Sequence, residues 1–193
     1  MITEEKIFII GFNKTGTRSL HNYFIKNSIS SIHWEYGRLA KQIKYNVENN
    51  EPILSGYDKY MVYSDMEDHL NYNYAHVEYF KKMNEQYPLS KFILNIRNIE
   101  NWIKSRNHHI GGKYRDYFCY RYNMTTEKLN NKWRNDYTKH YNNVISYFKN
   151  TPMKLLIFNI ENDNIKKMNE FLPKLRLNAK LYTHEGKTKN NHV

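Results

Sequence analysis

The chain has 193 residues, a formal net charge of +11 at pH 7 and a single cysteine. Aromatic residues make up 16% of it, with only 7 Gly and 4 Pro, which excludes a disordered or low-complexity chain despite a mean hydropathy of −0.88. The lone Cys119 excludes an internal disulfide and a multi-cysteine metal site, and reads as the reduced thiol of a cytoplasmic protein. The first apolar run, Ile7 to Ile10, is too short for a secretory signal or a membrane span. The positive charge therefore points to a soluble anionic partner: nucleic acid, an acidic surface or a phosphorylated small molecule.

Ile7 to Ile10 reads as a buried strand followed by a glycine-containing turn. Leu20, Tyr23, Phe24 and Asn27 follow at helical spacing, and Leu39, Ile43 and Val47 mark a second helix that stops before Pro52. Tyr60 to Tyr63 is a second strand, with Ser64 and Asp65 at its exit. Val77, Phe80 and Tyr87 share one face of a helix ended by Pro88. Phe92 to Ile96 is a strong strand closed by Arg97, and Ile99, Trp102 and Ile103 begin the next helix. His108 to Asn123 reads as irregular, and a long amphipathic helix starts near Thr125 or Thr126 and carries Leu129, Trp133, Tyr137, Tyr141, Val144 and Phe148 on one face. Leu155 to Phe158 is a fourth clear strand, and Ile165, Met168, Phe171 and Leu172 form a last helix before Pro173.

Strands alternating with helices predict an α/β fold, a mostly parallel sheet flanked by helices on both faces. No repeat or linker interrupts it, so residues 1–193 are expected to form one domain with a polar tail from about Lys187. Ligands of such sheets bind at the carboxyl ends of the strands, which directs attention to the residues after Ile10, Tyr63, Ile96 and Phe158.

After the first strand comes Gly11-Phe12-Asn13-Lys14-Thr15-Gly16-Thr17-Arg18-Ser19, with a helix starting inside it. Unpaired N–H groups at a helix N-terminus cradle phosphate, Gly16 permits close approach, Lys14 supplies a cation, and Thr15 and Thr17 supply hydroxyl donors. The nucleotide-kinase loop G-x-x-x-x-G-K-[ST] carries its lysine after the second glycine, whereas Lys14 precedes Gly16. At the third strand, Arg97 offers a forked donor suited to phosphate, and Ser105 lies eight residues on. Alone, an exit arginine followed by an amphipathic helix is more often part of a surface salt bridge.

Together the two segments resemble the sulfotransferase family that uses 3′-phosphoadenosine-5′-phosphosulfate (PAPS). Lys14-Thr15-Gly16-Thr17 is similar to its 5′-phosphosulfate loop, and Phe92 to Ser105 to its 3′-phosphate motif; the resemblance spans about residues 6 to 173. It implies a P-loop NTPase-like fold, with Asn13, Lys14, Thr15, Gly16, Thr17 and Arg18 at the 5′ end of the cofactor and Arg97 and Ser105 at its 3′-phosphate. Lys14 would meet the charge that develops as the sulfuryl group leaves. No metal is implied, and the acceptor is a hydroxyl or amine on a small molecule or glycan. A base is needed to take the acceptor proton; family members use a histidine or an acidic residue, and many place it at the exit of the strand before the 3′-phosphate motif. Asp65 is the first candidate there, Glu67 the second and His69 the third, with His33, at the end of a short strand Ser31-Ile32, a further one. The alternative is that these acids simply open a helix.

Many cytosolic relatives close over the cofactor with an Arg-Lys-Gly segment; only Gly186-Lys187 corresponds here, and Lys113, Arg115 and Arg121 are candidate substitutes. The stretch His108 to Asn123 is either an acceptor lid or a structural loop. The rival functions are a kinase on the same fold and a nucleic-acid-binding module using the basic and aromatic residues between Lys113 and Arg134.

Overall fold

The computed structural model describes residues 4–185. Its centre is a parallel five-stranded sheet of Ile7–Ile9 (β1), Ser31–His33 (β2), Val62–Ser64 (β3), Lys91–Ile96 (β6) and Leu155–Asn159 (β7). The spatial order is β2-β3-β1-β6-β7, so β1 lies between the strands that carry the other two candidate segments. A hairpin of Glu67–Asp68 (β4) and Asn73–Tyr74 (β5) stands apart from it.

Side-chain alternation along the strands builds two cores. Phe8, Ile10, Tyr63, Phe92 and Leu94 face a layer made by Arg38–Glu48 (α2), Phe80–Gln86 (α4) and Thr126–Phe148 (α7). Ile7, Ile9, Val62, Ile93 and Phe158 face Thr17–Lys26 (α1) and Lys166–Phe171 (α8). Helices thus cover both faces of the parallel sheet, as the alternation of strands and helices predicts. A third cluster, outside the strands' carboxyl ends, joins Phe12 to Trp102 of Ile99–Asn107 (α5), Tyr114 and Phe118 of Lys113–Tyr122 (α6) and Trp133 of α7.

Three sequence expectations need correction. The stretch His108 to Asn123 is not irregular: after one turn of 3₁₀ helix it forms α6, which buries Tyr114 and Phe118 one turn apart. The single helix expected across Val77 to Tyr87 is two, Ala75–Glu78 (α3) and α4. Ala75 N–H donates to Met66 O at 3.0 Å, tying α3 to the hairpin, while Phe80 and Met83 seat α4 in the core, and the chain turns at Tyr79 to meet both demands. The acids after β3, read alternatively as a helix start, lie in β4 at Glu67 and Asp68, and Asp68 leads only into the single 3₁₀ turn His69–Asn71, without a side-chain cap bond.

Candidate active site

Phosphate-loop geometry is set from below by Asn95 of β6. Its Oδ1 accepts from Gly11 N–H at 2.8 Å, and its Nδ2 donates to Thr15 O at 3.0 Å and to Thr15 Oγ1 at 2.7 Å. A Cβ at Gly11 would lie 2.1 Å from Asn95 O, so glycine is required there. The Thr15 hydroxyl, expected as a phosphate donor, is fully buried and donates instead to Phe12 O. Lys14 sits at φ +65° and Gly16 at φ +86°, where a side chain would also meet Ile160. The first hydrogen bond of α1 runs from Leu20 N–H to Gly16 O; no side chain caps this terminus and no acid lies in its first turn. The N–H groups ahead of Leu20 thus present an uncapped, partly positive end to the cleft.

Asn13 precedes Lys14 and is anchored on three sides. Its N–H donates to Glu67 Oε1 at 2.7 Å, its Nδ2 to the Tyr114 hydroxyl at 3.0 Å, and its carbonyl accepts from Trp102 Nε1 at 2.9 Å. The Tyr114 hydroxyl also accepts from Arg106 Nη2 at 2.7 Å. Arg106, 2% exposed, lies over the rings of Trp102, Tyr114 and Trp133 at 4.7, 5.2 and 4.5 Å. Sequence reasoning missed this buried cation and Asn95. The i, i+4 pair Tyr114 and Phe118 was the available signal for the helix that packs against Arg106.

At the β6 exit the backbone of Arg97 is clamped by the Tyr137 hydroxyl, which accepts from its N–H at 3.0 Å and donates to its carbonyl at 2.9 Å. Arg97 Nε lies 2.7 Å from Glu161 Oε1. Asn98 caps α5 by accepting from Glu100 and Asn101 N–H, and one turn later the helix brings Lys104 and Ser105 to the cleft. That cleft has a volume of about 1110 Å³. Among the described residues, its Lys and Arg side chains are Lys14, Arg18, Arg97 and Lys104. Lys113, Arg115 and Arg121 do not line it: Arg115 pairs with Asp116 at 2.7 Å and Arg121 with the Tyr72 hydroxyl at 3.0 Å.

The β3 exit brings Asp65, Glu67 and His69 to the same cleft, with His33 from the end of β2. Burial raises the Asp65 carboxyl above the usual carboxylate range, against the pull of Arg18, Lys14 and Arg106. Glu67, 1% exposed, is raised by burial and then by Asp65, with Arg106 and the Asn13 N–H opposing. Burial, then Arg18 and Arg97, lowers the Lys14 ammonium. Burial, then Arg18, lowers His33 to about 4, so its ring is neutral near pH 7. His109 and Ile110 also line the cleft, whereas Phe118 and Trp133 are buried in the third core. The stretch His108 to Asn123 therefore serves as wall and scaffold; of the aromatics between Lys113 and Arg134, Tyr114, Phe118 and Trp133 are core residues, Tyr117 and Tyr122 are partly buried, and Tyr120 is exposed. Glu185 and His184 line the cleft too, and Glu185 N–H donates to Ser19 Oγ at 2.9 Å; Gly186-Lys187 lies outside the described residues.

Loops from three neighbouring parallel strands thus place an open helix terminus, four cationic side chains, the buried Glu67 carboxyl and the partly buried Asp65 carboxyl around one cleft. The sulfotransferase-domain family matches residues 6–125, which include Asn13 to Arg18, His33, Asp65, Glu67, His69, Arg97 and Ser105. The chain belongs to the sulfotransferase family. Among solved structures it is similar to a sulfotransferase from Alicyclobacillus acidocaldarius, with a TM-score of 0.53 and 11% identity over 98% of this chain and 88% of that one. At that identity the likeness speaks for the fold, and it extends the sulfotransferase architecture beyond residue 125 through α7, β7 and α8. No curated protein matches the chain. A kinase loop is correspondingly displaced as a reading of Lys14.

Proposed function

We propose that the chain transfers a sulfuryl group from PAPS to a hydroxyl or amine of a small-molecule or glycan acceptor, and that residues 1–193 act as one domain. The observation that carries this reading is the convergence on one cleft of two cationic ends and a carboxyl pair. The uncapped start of α1 with Lys14 and Arg18 suits a 5′-phosphate group, and Arg97, Lys104 and Ser105 suit a 3′-phosphate. This donor set fits an adenosine carrying phosphate at both positions; a single triphosphate would not need the second end. Bound there, PAPS supplies a sulfuryl group already activated on a phosphate leaving group.

Each residue then has a definable task. Gly16, Thr17 and Arg18 hold the 5′-phosphate through backbone N–H groups, with the amide of Thr15 as a further donor in place of its committed hydroxyl. Asn13 fixes the loop. Lys14, held at a left-handed backbone position, stabilises negative charge that grows as the phosphate leaves. Asp65 accepts the acceptor proton; its raised pKa brings its basicity closer to neutral pH, where a general base is most effective. Glu67, committed through Oε1 to Asn13 N–H, is the second carboxyl. Among the described residues no helix is long and apolar enough to cross a membrane, and we place the protein in the cytoplasm on the strength of its lone thiol.

Thermal shift tests the reading. A ligand at a hundredfold excess over its Kd stabilises by about 2.7 kcal/mol. Adenosine 3′,5′-bisphosphate should raise Tm clearly and ATP–magnesium little; the reverse order favours a kinase.

A further inference from the structure

The β2–β3 register sets His33 opposite Ser64, so the residue after Ser64, Asp65, arrives beside the His33 ring. His33 Nε2 lies 3.4 Å from Asp65 Oδ2. The chain turns left-handed immediately after each strand, at Trp34 (φ +60°) and at Asp65 (φ +52°), and Trp34 N–H donates to Ser64 O at 3.2 Å. These turns halt both strands at the same level and hold the two side chains against each other.

The tautomer of His33 follows from its other neighbour. Ser64 Oγ donates to Ile32 O at 3.2 Å, which spends its hydrogen. The same oxygen is 3.1 Å from His33 Nδ1, so it accepts there and Nδ1 carries the proton. In the neutral ring Nε2 is then a lone pair aimed at a carboxyl oxygen. Two acceptors face each other, and the arrangement is favourable only when one proton lies between them.

We propose that His33 is the proton-relay partner of Asp65, its Nε2 taking from the Asp65 carboxyl the proton that the acceptor gives up. This rests on the sulfuryl-transfer reading above. As the new oxygen–sulfur bond forms, the bond from sulfur to the donor phosphate breaks with its electron pair on the phosphate. The acceptor O–H proton passes to the Asp65 carboxylate, and from the carboxylic acid to His33 Nε2. The product is an imidazolium beside a carboxylate, with Nδ1–H still on Ser64. His33 opens on the cleft with 12% of its side chain exposed, and returns the proton to water there. Other groups bias the pair. Arg18 faces both members, Lys14, Arg106 and Glu67 face Asp65, and His21 stacks on His33 at 5.4 Å with Glu35 and Glu185 behind it. Burial and Arg18 disfavour the imidazolium, so the relayed proton does not rest on His33 but passes on to water in the cleft.

A positioned proton acceptor matters most when the acceptor hydroxyl is weakly acidic. His33→Gln and wild type are therefore compared on p-nitrophenol, phenol and cyclohexanol with labelled PAPS. The relay predicts a loss in kcat that grows along that series, reaching roughly tenfold or more for cyclohexanol, with bisphosphate affinity held. An equal loss on all three overturns it and leaves His33 a structural residue. A second measurement needs no turnover. In ¹⁵N-histidine-labelled full-length protein, His33 should be the Nδ1–H tautomer, and its titration should move in Asp65→Asn. An Nε2–H tautomer, or a titration indifferent to Asp65, overturns the relay. Should no probe be sulfated and the bisphosphate fail to bind, the transferase reading falls, while the tautomer and its coupling to Asp65 still decide the relay.

Discussion

Arg97 Nε and Glu161 Oε1 stand 2.7 Å apart across the exits of β6 and β7. Glu161 also accepts from Asn98 N–H at 3.0 Å and Asn101 Nδ2 at 3.0 Å, so it orients Arg97 while holding the start of α5. The hydrogen bond to Glu161 is made through Nε, and the terminal nitrogens of Arg97 on the cleft side are the donors we expect an anion to meet.

Arg97→Ala should therefore weaken adenosine 3′,5′-bisphosphate binding by about tenfold or more, the value of one charge-assisted hydrogen bond. Adenosine 5′-phosphosulfate, which lacks the 3′-phosphate, should be nearly indifferent. Titration calorimetry with both ligands checks this, and equal weakening would assign Arg97 to the fold alone.

Lys14→Met should lower kcat more than it weakens bisphosphate binding, because the product lacks the transferred group whose departure Lys14 assists. Rate requires the ammonium, whose pKa is depressed below the usual lysine range. Wild-type activity should accordingly begin to fall on the alkaline side before an ordinary lysine would titrate. A flat rate through that region removes Lys14 from the chemistry.

Asp65→Asn keeps the shape and suits the left-handed backbone at φ +52°, a conformation asparagine tolerates. The protein should fold and bind bisphosphate normally, with sulfuryl transfer reduced at least about tenfold. In wild type, activity should fall as pH drops through a carboxyl pKa above the usual range, since the base must be ionised. Normal transfer by Asp65→Asn together with a dead Glu67→Gln would move the base to Glu67.

Asn95→Ala removes the acceptor of Gly11 N–H and both donors to Thr15 in a buried setting. A cost of about 2 kcal/mol or more in unfolding free energy is expected, with weaker bisphosphate binding because the loop loses its support. Urea denaturation and thermal shift measure the two effects; loss of stability with unaltered affinity would show that the loop holds its shape without Asn95.

His76 and His140 are buried neutral beneath Phe12, lowered to about 3 and about 4, chiefly by burial. The unfolded chain binds protons at these sites from about pH 6.5 downward while the native state does not, so they remove stability as pH falls from there toward 4. His140 Nε2–H donates to Ile10 O at 2.7 Å, a bond that glutamine can reproduce without titrating. The Tm of His140→Gln should therefore decline less than that of wild type between pH 6.5 and 4.5, and parallel declines would place the acid sensitivity elsewhere.

Local sequence determined the elements that depend on local rules. The continuous apolar runs at Ile7 and Phe92, the glycine turn into α1 and the long stripe from Leu129 to Phe148 each reveal their class through periodicity, and their alternation yields the parallel sheet and its carboxyl-end cleft. The phosphate loop and Arg97 were legible for the same reason: a strand, a turn and a helix start are contiguous in the chain. Tertiary structure decided what depends on residues far apart in sequence. Only packing turned the Thr15 hydroxyl inward to Asn95, 80 residues away, and enclosed Arg106 among rings from three helices. Strand register likewise set His33 against Asp65, because pairing between parallel strands is fixed by the burial of both faces, and no local pattern encodes it.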